Sequence, residues 1–243
     1  MLLRPILWGL SLSLALAGPV FSGELKLGPK AVLELFTSQG CSSCPKADAM
    51  LDEMSKSPDV VVLAYHVDYW DYIGWEDTFG SPENSQRQRD YADAWGSSRI
   101  FTPQLVVNGR GSVVASREGE VDAALASAAL PITIDLDVSD DGMLEISVPP
   151  GEGNREAVMW LVTFVDRAEA EIERGENKGK TVAYTQIVTN RQVLGMWESA
   201  TGAEMRMPIG ELLDASANGI AVLIQEERNG MPGPILGAAS YVQ

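Results

Sequence analysis

Residues 31–45 read AVLELFTSQGCSSCP, an apolar run followed directly by two cysteines that are separated by two serines. Cys41 and Cys44 are the only cysteines among 243 residues, so disulfides do not hold this chain together. A bridge between them would close so short a loop that it restricts the unfolded chain by only about 2 kcal/mol. The pair therefore predicts redox chemistry, with half of a metal site and an inert pair as the alternatives.

The residues around the cysteines predict alternating strands and helices. The order is β-α-β-α-β-β-α, because short apolar runs alternate with segments of helical spacing and end in a hairpin turn at Asn108-Gly109. The first helix is expected to begin within residues 41–43, so that its N-terminus would favour a thiolate at Cys41. The predicted strands are 31–37, 60–67, 104–107 and 112–116. The first predicted helix ends at residue 57, and the other two are 82–95 and 119–130.

This order resembles the thioredoxin fold over residues 28–130, with the two cysteines at the first strand-to-helix junction and a proline before the third strand. The resemblance implies that Cys41 is an exposed nucleophile and that Cys44 resolves the mixed disulfide. It also implies that Thr102-Pro103 is a cis peptide whose threonine pairs its backbone with an extended substrate. From the residues alone, an ordinary trans proline at a strand start is the alternative.

Several strings carry a closer resemblance. They are ELFTSQGCSSCP at 34–45, HVDYWDY at 66–72, FTPQ at 101–104 and RGEN at 174–177. These strings look like a family of secreted bacterial proteins with a thioredoxin-like domain, the domain of unknown function family 1223. The family carries no established reaction, so the resemblance implies a fold and leaves the substrate open.

Polar side chains follow the strand predicted at residues 60–67. His66 and Asp68 lie where that strand ends, at the sheet edge that also presents Cys41. His66 is the only histidine and could transfer a proton or stabilise a thiolate, while Asp68 or Asp71 could accept the proton of Cys44. Alternatively, His66 only packs beneath the loop that follows it.

That loop is rich in aromatic residues. Tyr69, Trp70, Tyr72 and Trp75 could form a rim that binds an extended polypeptide, with Tyr69 and Trp70 nearest to His66. An insertion that packs over its own sheet is the alternative. The helix that follows has a polar face that we expect to be solvated, although Arg87 or Arg89 could pair with the aspartates of the loop. That face consists of Gln86, Arg87, Gln88, Arg89 and Tyr91.

Residues 131–243 show the alternation of half-buried strands. Strands are expected near 132–138, 144–148, 157–166, 171–174, 181–189 and 220–226. They predict a mainly-β, sandwich-like C-terminal domain. Since it contains neither cysteine nor histidine, we expect it to serve recognition or dimer formation.

Residues 1–22 predict a secretory signal peptide, because Arg4 precedes an uncharged run with small residues at its end. An uncleaved membrane anchor is the alternative. The expected location is the periplasm or the exterior, where disulfides persist. The formal charge of −16 argues against nucleic acid or an anionic membrane as a partner of the mature protein.

Together these patterns predict an exported thiol–disulfide oxidoreductase that acts on protein thiols or disulfides and needs no cofactor and no metal. Two alternatives stay open. One is a copper-binding protein that uses Cys41, Cys44 and His66. The other is a noncatalytic binding protein on a thioredoxin-like scaffold. The redox direction and the oligomeric state do not follow from the sequence.

Overall fold

Twelve strands, three α-helices and two 3-10 turns, Asp71–Ile73 and Ile209–Glu211, build residues 23–243, the part of the chain that the computed structural model describes. The predicted signal peptide at residues 1–22 lies outside the described residues. The helices are α1 (Cys44–Ser55), α2 (Pro82–Ala94) and α3 (Glu118–Ala126). The strands are β1 (Glu24–Leu27), β2 (Ala31–Thr37), β3 (Val60–His66), β4 (Gln104–Val107), β5 (Gly111–Val114), β6 (Asp135–Val138), β7 (Met143–Val148), β8 (Glu156–Glu171), β9 (Thr181–Glu198), β10 (Ala203–Pro208), β11 (Gly219–Arg228) and β12 (Met231–Val242). Within residues 23–243 no helix is both long and apolar enough to cross a bilayer.

Nine of the strands form one mixed sheet in the order β1-β12-β11-β8-β9-β3-β2-β4-β5. β2 pairs parallel to β3 and antiparallel to β4, and β3 meets β9 in parallel where Ala64 lies opposite Ile187. The other three strands form an antiparallel sheet in the order β10-β7-β6. The predicted mixed α/β class is therefore confirmed.

Strand β2 lies in the interior of the sheet and is buried on both faces, which explains its continuous apolar run. Because side chains alternate across a strand, Leu33 and Leu35 pack in one cluster with Leu51 of α1, whereas Phe36 packs in another with Tyr91 of α2. Helices thus cover both faces of the sheet around β2.

Helix α2 begins where the sequence predicts, but its polar face is buried. The Ser81 hydroxyl accepts a hydrogen bond from the Asn84 backbone N–H at 3.1 Å, and Pro82 takes the first position. The prediction that this face is solvated is wrong for Arg87, Gln88 and Tyr91, which are at most 4% exposed. Glu34 on β2 binds the guanidinium of Arg87 and so compensates its burial.

The predicted boundary between residues 130 and 131 does not divide the sheet. Strands β8, β9, β11 and β12 extend the same sheet, because β9 covers the edge of β3 that would otherwise expose unpaired backbone groups. The expected packing of two sheets does occur, since the three-stranded sheet contacts one face of β8, β9, β11 and β12 through a cluster that includes Leu144, Ile146 and Trp197.

Several C-terminal elements differ from the sequence prediction. The segment 171–174, predicted as a strand of its own, is the end of β8 and the start of the turn that leads into β9. β8 and β9 are 16 and 18 residues long, far longer than their apolar cores suggested. The polar residues near the turn are held in the ladder by cross-strand pairing from Arg167–Thr185 to Glu171–Thr181.

Candidate functional site

Cys41 and Cys44 form a disulfide between the end of β2 and the start of α1, with their Cα atoms 5.4 Å apart. The helix begins at Cys44, so the expectation that Cys41 lies in its first turn is wrong. Cys41 instead precedes the helix in a tight turn, in which the Cys44 N–H donates to the Cys41 carbonyl at 3.2 Å. The hydroxyl of Ser43 lies 3.4 Å from Cys41 Sγ.

The disulfide is covered. Cys41 is 1% exposed and Cys44 is 0% exposed. The expectation of an exposed Cys41 is therefore wrong for this disulfide form. An attacking thiolate needs access to a sulfur atom, so either the cover moves or the disulfide does not react.

The turn before Cys41 is bound from three directions. The Gln39 backbone N–H donates to Asp77 Oδ2 at 2.7 Å, and the Gln39 side-chain oxygen accepts from Trp75 Nε1 at 2.8 Å. Asn177, in the turn between β8 and β9, donates from Nδ2 to the carbonyls of Gln39 and Cys41, each at 2.9 Å. Both halves of the chain therefore build this site.

Thr102 and Pro103 directly precede β4, the strand beside β2, and the peptide bond between them is cis, as the resemblance implies. Trp70 Nε1 donates to Thr102 Oγ1 at 2.8 Å. A Cβ built on Gly40 would lie 3.1 Å from Trp70 Cβ, so Trp70 spans from Thr102 to the residue next to Cys41. Of the predicted residues, Trp70 thus lies against the residue before Cys41 and is joined to Thr102 by a hydrogen bond.

His66 is fully buried and faces the same side of the sheet as its cross-strand neighbour Thr37. Its Nδ1 lies 2.9 Å from Asp77 Oδ2, while its Nε2 has no hydrogen-bond partner. The ring packs edge-on against Phe79 and Tyr184, with centroid distances of 5.3 and 4.7 Å. His66 therefore belongs to a closed layer beneath the site rather than to its surface.

A carboxyl group that the sequence did not point out lies in the same layer. Asp48 follows Cys44 by one turn of α1 and is 4% exposed. Its Oδ1 accepts from Thr37 Oγ1 at 2.7 Å, whereas its Oδ2 has no partner. Burial raises the pKa of Asp48 to about 7, although the nearby charge of His66 opposes that rise. The only sequence signal is the spacing of four residues from Cys44, which places both side chains on one helix face.

Asp77, also missed from the sequence, has the opposite electrostatic balance. Burial raises the pKa of its carboxyl, but the charge and hydrogen bond of His66 and the N–H groups of Gln39 and Phe79 outweigh it, so the net pKa is lowered. Asp77 therefore stays ionised and holds both His66 and the Gln39 turn.

The remaining predicted residues lie to the side of the disulfide. Asp68 accepts from the Ser85 hydroxyl and binds Ser85 through its own N–H, which ties it to α2. Tyr69 is half-buried, and burial raises its pKa to about 12. Tyr72 is 83% exposed. The aromatic loop therefore divides into packed residues and one exposed ring, and does not form a uniform rim.

The predicted copper alternative requires Cys41 and Cys44 as free thiolates, and the structure describes them as a disulfide. No group of three or more His, Cys, Asp or Glu side chains in that part of the chain could hold a metal ion. Cys41 and Cys44 are bonded to each other, and His66 Nδ1 is engaged by Asp77.

Comparison with known proteins shows which family the chain belongs to. The fold is similar to that of an Agrobacterium tumefaciens protein solved by X-ray crystallography, with a TM-score of 0.79 and 33% sequence identity over 88% of this chain and 95% of the other. No curated protein sequence matches significantly. Residues 32–225 match the family described as "Protein of unknown function (DUF1223)". The chain therefore belongs to the DUF1223 family.

Proposed function

We propose that this chain is an exported thiol–disulfide oxidoreductase that exchanges electrons with protein or peptide thiols through Cys41 and Cys44. The observation that carries the proposal is the disulfide at the junction of β2 and α1, with the buried carboxyl of Asp48 one helical turn beyond Cys44. The thioredoxin-like element order from β2 to α3, with Thr102 linked through Trp70 to the site, supports it. Export is proposed from the signal-like segment 1–22.

The proposed reaction exchanges one disulfide for another. A substrate thiolate attacks Cys41 Sγ, a mixed disulfide forms, and the bond between Cys41 and Cys44 breaks. The leaving Cys44 thiolate takes a proton from Asp48, whose raised pKa keeps a proton available near neutral pH. A second substrate thiolate then attacks the substrate sulfur of the mixed disulfide, which releases the substrate disulfide and leaves the Cys41 and Cys44 pair reduced. In the opposite direction Asp48 accepts the proton of Cys44.

The reduction potential of the Cys41–Cys44 couple tests this function. For a catalytic pair we expect a value between about −270 and −120 mV, the span from thioredoxin to strong oxidants. Equilibration against glutathione or dithiothreitol buffers, followed by alkylation and mass spectrometry, measures it. A value below about −300 mV, which is typical of structural disulfides, contradicts the proposal.

The burial of Cys41 supports a second candidate function. A disulfide that is 1% exposed could be inert, and the chain would then be a noncatalytic binding protein on the same scaffold. This candidate requires that the disulfide in the folded protein resist dithiothreitol and that the protein not turn over any disulfide substrate. The proposed oxidoreductase requires the reverse in both measurements.

Asp48 gives a prediction with a defined pH dependence. Its carboxyl has a higher pKa in the folded than in the unfolded chain, so the folded protein binds the proton more tightly and stability falls as pH rises from about 4 to about 7. Asp48→Asn removes this loss. We expect the variant to exceed the wild type in free energy of unfolding by up to about 4 kcal/mol at pH 8, and by little at pH 4.

Urea unfolding at both pH values measures this difference. The matched control is Glu53→Gln at an exposed carboxyl on the same helix, which we expect to change the free energy of unfolding by less than about 0.5 kcal/mol. In the oxidoreductase assay we expect Asp48→Asn to slow turnover about 100-fold, because the proton donor and acceptor for Cys44 is lost. Unchanged turnover would remove Asp48 from the proposed mechanism.

A further inference from the structure

The turn between β8 and β9 lies over the disulfide and is well ordered by its own hydrogen bonds. We name residues 172–180 the clamp turn. Its Gly179 N–H donates to the Ile172 carbonyl at 2.7 Å, and its Lys180 N–H donates to the Asn177 carbonyl at 3.1 Å. Ile172 and Asn177 are buried, and the other seven residues of the turn are exposed. The turn therefore inserts two side chains into the protein while its outer surface faces solvent.

Asn177 is the side chain of the clamp turn that reaches the cysteines. It is 1% exposed, and its amide nitrogen uses both hydrogens on the carbonyls of Gln39 and Cys41. Lys180 Nζ donates to the amide oxygen of Asn177 at 2.8 Å, which fixes the orientation of the amide. Every polar atom of this side chain is thus committed to holding the turn before the disulfide.

The clamp turn also contacts the loop that contains Trp75. A Cβ built on Gly175 would lie 3.3 Å from Trp75 Cβ, and the φ of Gly175 is +74°. A side chain there would meet Trp75 and adopt a disfavoured backbone conformation. Trp75 in turn binds the side chain of Gln39. Both segments therefore bind Gln39: the clamp turn binds its backbone carbonyl, and Trp75 binds its side chain.

We propose that Asn177 is a positioning residue that keeps the disulfide covered, and that release of its two hydrogen bonds exposes Cys41 to an attacking thiolate. This inference rests on the proposed function and concerns which thiols can reach Cys41. In the open form a thiolate bonds to Cys41 Sγ and the Cys41–Cys44 bond breaks. The two electrons come from two substrate thiols, which leave as one disulfide.

Two consequences distinguish this role from a general effect on stability. Asn177 binds carbonyl groups and neither sulfur atom, so it holds the turn in the dithiol form too, and its loss accelerates reduction and reoxidation alike. The reduction potential therefore stays unchanged. A protein thiol needs a wider opening than a small thiol, so loss of the clamp accelerates reduction by a protein thiol more than reduction by a small one.

The test compares reduction of wild type and Asn177→Ala by dithiothreitol and by a small dithiol protein, with alkylation and mass spectrometry as the readout. Losing two hydrogen bonds predicts a rate increase of about tenfold with dithiothreitol. We expect a larger increase with the dithiol protein and an unchanged reduction potential. Asn190→Ala, an exposed position on β9 of the same hairpin, is the control and should react like the wild type.

Asn177→Asp provides a second variant if the alanine variant does not fold. It keeps the shape and the contact with Lys180 but replaces the donor nitrogen with an acceptor, so it should also accelerate reduction. Equal rates in wild type and a folded variant would overturn the clamp and leave the oxidoreductase proposal intact. A variant with a shifted reduction potential, in which only reduction or only reoxidation is accelerated, would also overturn the clamp. Failure of the proposed function shows separately, as a wild type that does not turn over any disulfide substrate.

Discussion

Cys41→Ser is expected to abolish turnover of disulfide substrates, and Cys44→Ser to halt the reaction after one covalent step. Without Cys41 no sulfur is placed to accept the first attack. Without Cys44 the mixed disulfide at Cys41 cannot be resolved from within the protein. Mass spectrometry of Cys44→Ser after incubation with a peptide disulfide should therefore show the chain plus one peptide, a mass that reduction removes.

Two controls make this result specific. Ser42→Ala changes an exposed residue between the cysteines and should keep wild-type turnover. Unfolding curves for both cysteine variants should lie close to that of the reduced wild type, because all three lack the disulfide. They should also lie within about 2 kcal/mol of the oxidised wild type, because a bridge across so short a loop adds little stability. Turnover retained by both cysteine variants would refute the proposed function.

The sequence predicts the elements near the cysteines well because their signals are local. The bounds of β2 agree to the residue, and the start of α2 follows from Ser81 and Pro82, whose roles in capping depend on their immediate neighbours. Any disulfide within the chain must join Cys41 to Cys44, because they are its only cysteines, and the structure has that bond. Residue types and their immediate neighbours in the sequence are enough for these inferences.

The sequence could not supply the contacts that join distant segments. Asn177 meets Cys41 from 136 residues away, and nothing in the composition of an exposed Gly- and Lys-rich turn indicates that one amide is buried. Likewise, the sheet continues past residue 130 only because β9 finds the edge of β3. Asp48 looks like an ordinary helix carboxylate until Thr37 and His66 enclose it.

The burial of Arg87 was not predicted, because it too depends on contacts between distant segments. Replacing Arg87 gives the largest expected loss of stability. Its guanidinium donates to Glu34 Oε1 from Nε at 2.8 Å and from Nη2 at 2.6 Å, and Nη2 also contacts Tyr91 and Gln225 at 3.1 and 3.2 Å. Gln225 lies on β11, so this buried network connects α2 and β2 with the C-terminal half. Burial lowers the pKa of Arg87 while Glu34 raises it, and the net rise keeps the guanidinium charged.

Arg87→Met is expected to lower the free energy of unfolding by about 3–5 kcal/mol. The variant fills similar volume but leaves the carboxylate of Glu34, which is 0% exposed, without its cation. Urea unfolding at pH 7 measures the loss. The control is Arg89→Met on the exposed face of α2, which we expect to change stability by less than about 0.5 kcal/mol.

A double variant separates the unpaired charge from the loss of packing. If the uncompensated carboxylate causes the loss, Arg87→Met combined with Glu34→Leu should be more stable than Arg87→Met alone, because a buried pair replaced by apolar groups costs little. If packing of the arginine stem causes it, the second substitution should add to the loss. A single Arg87→Met variant within about 1 kcal/mol of the wild type would show that the two halves do not depend on this ion pair.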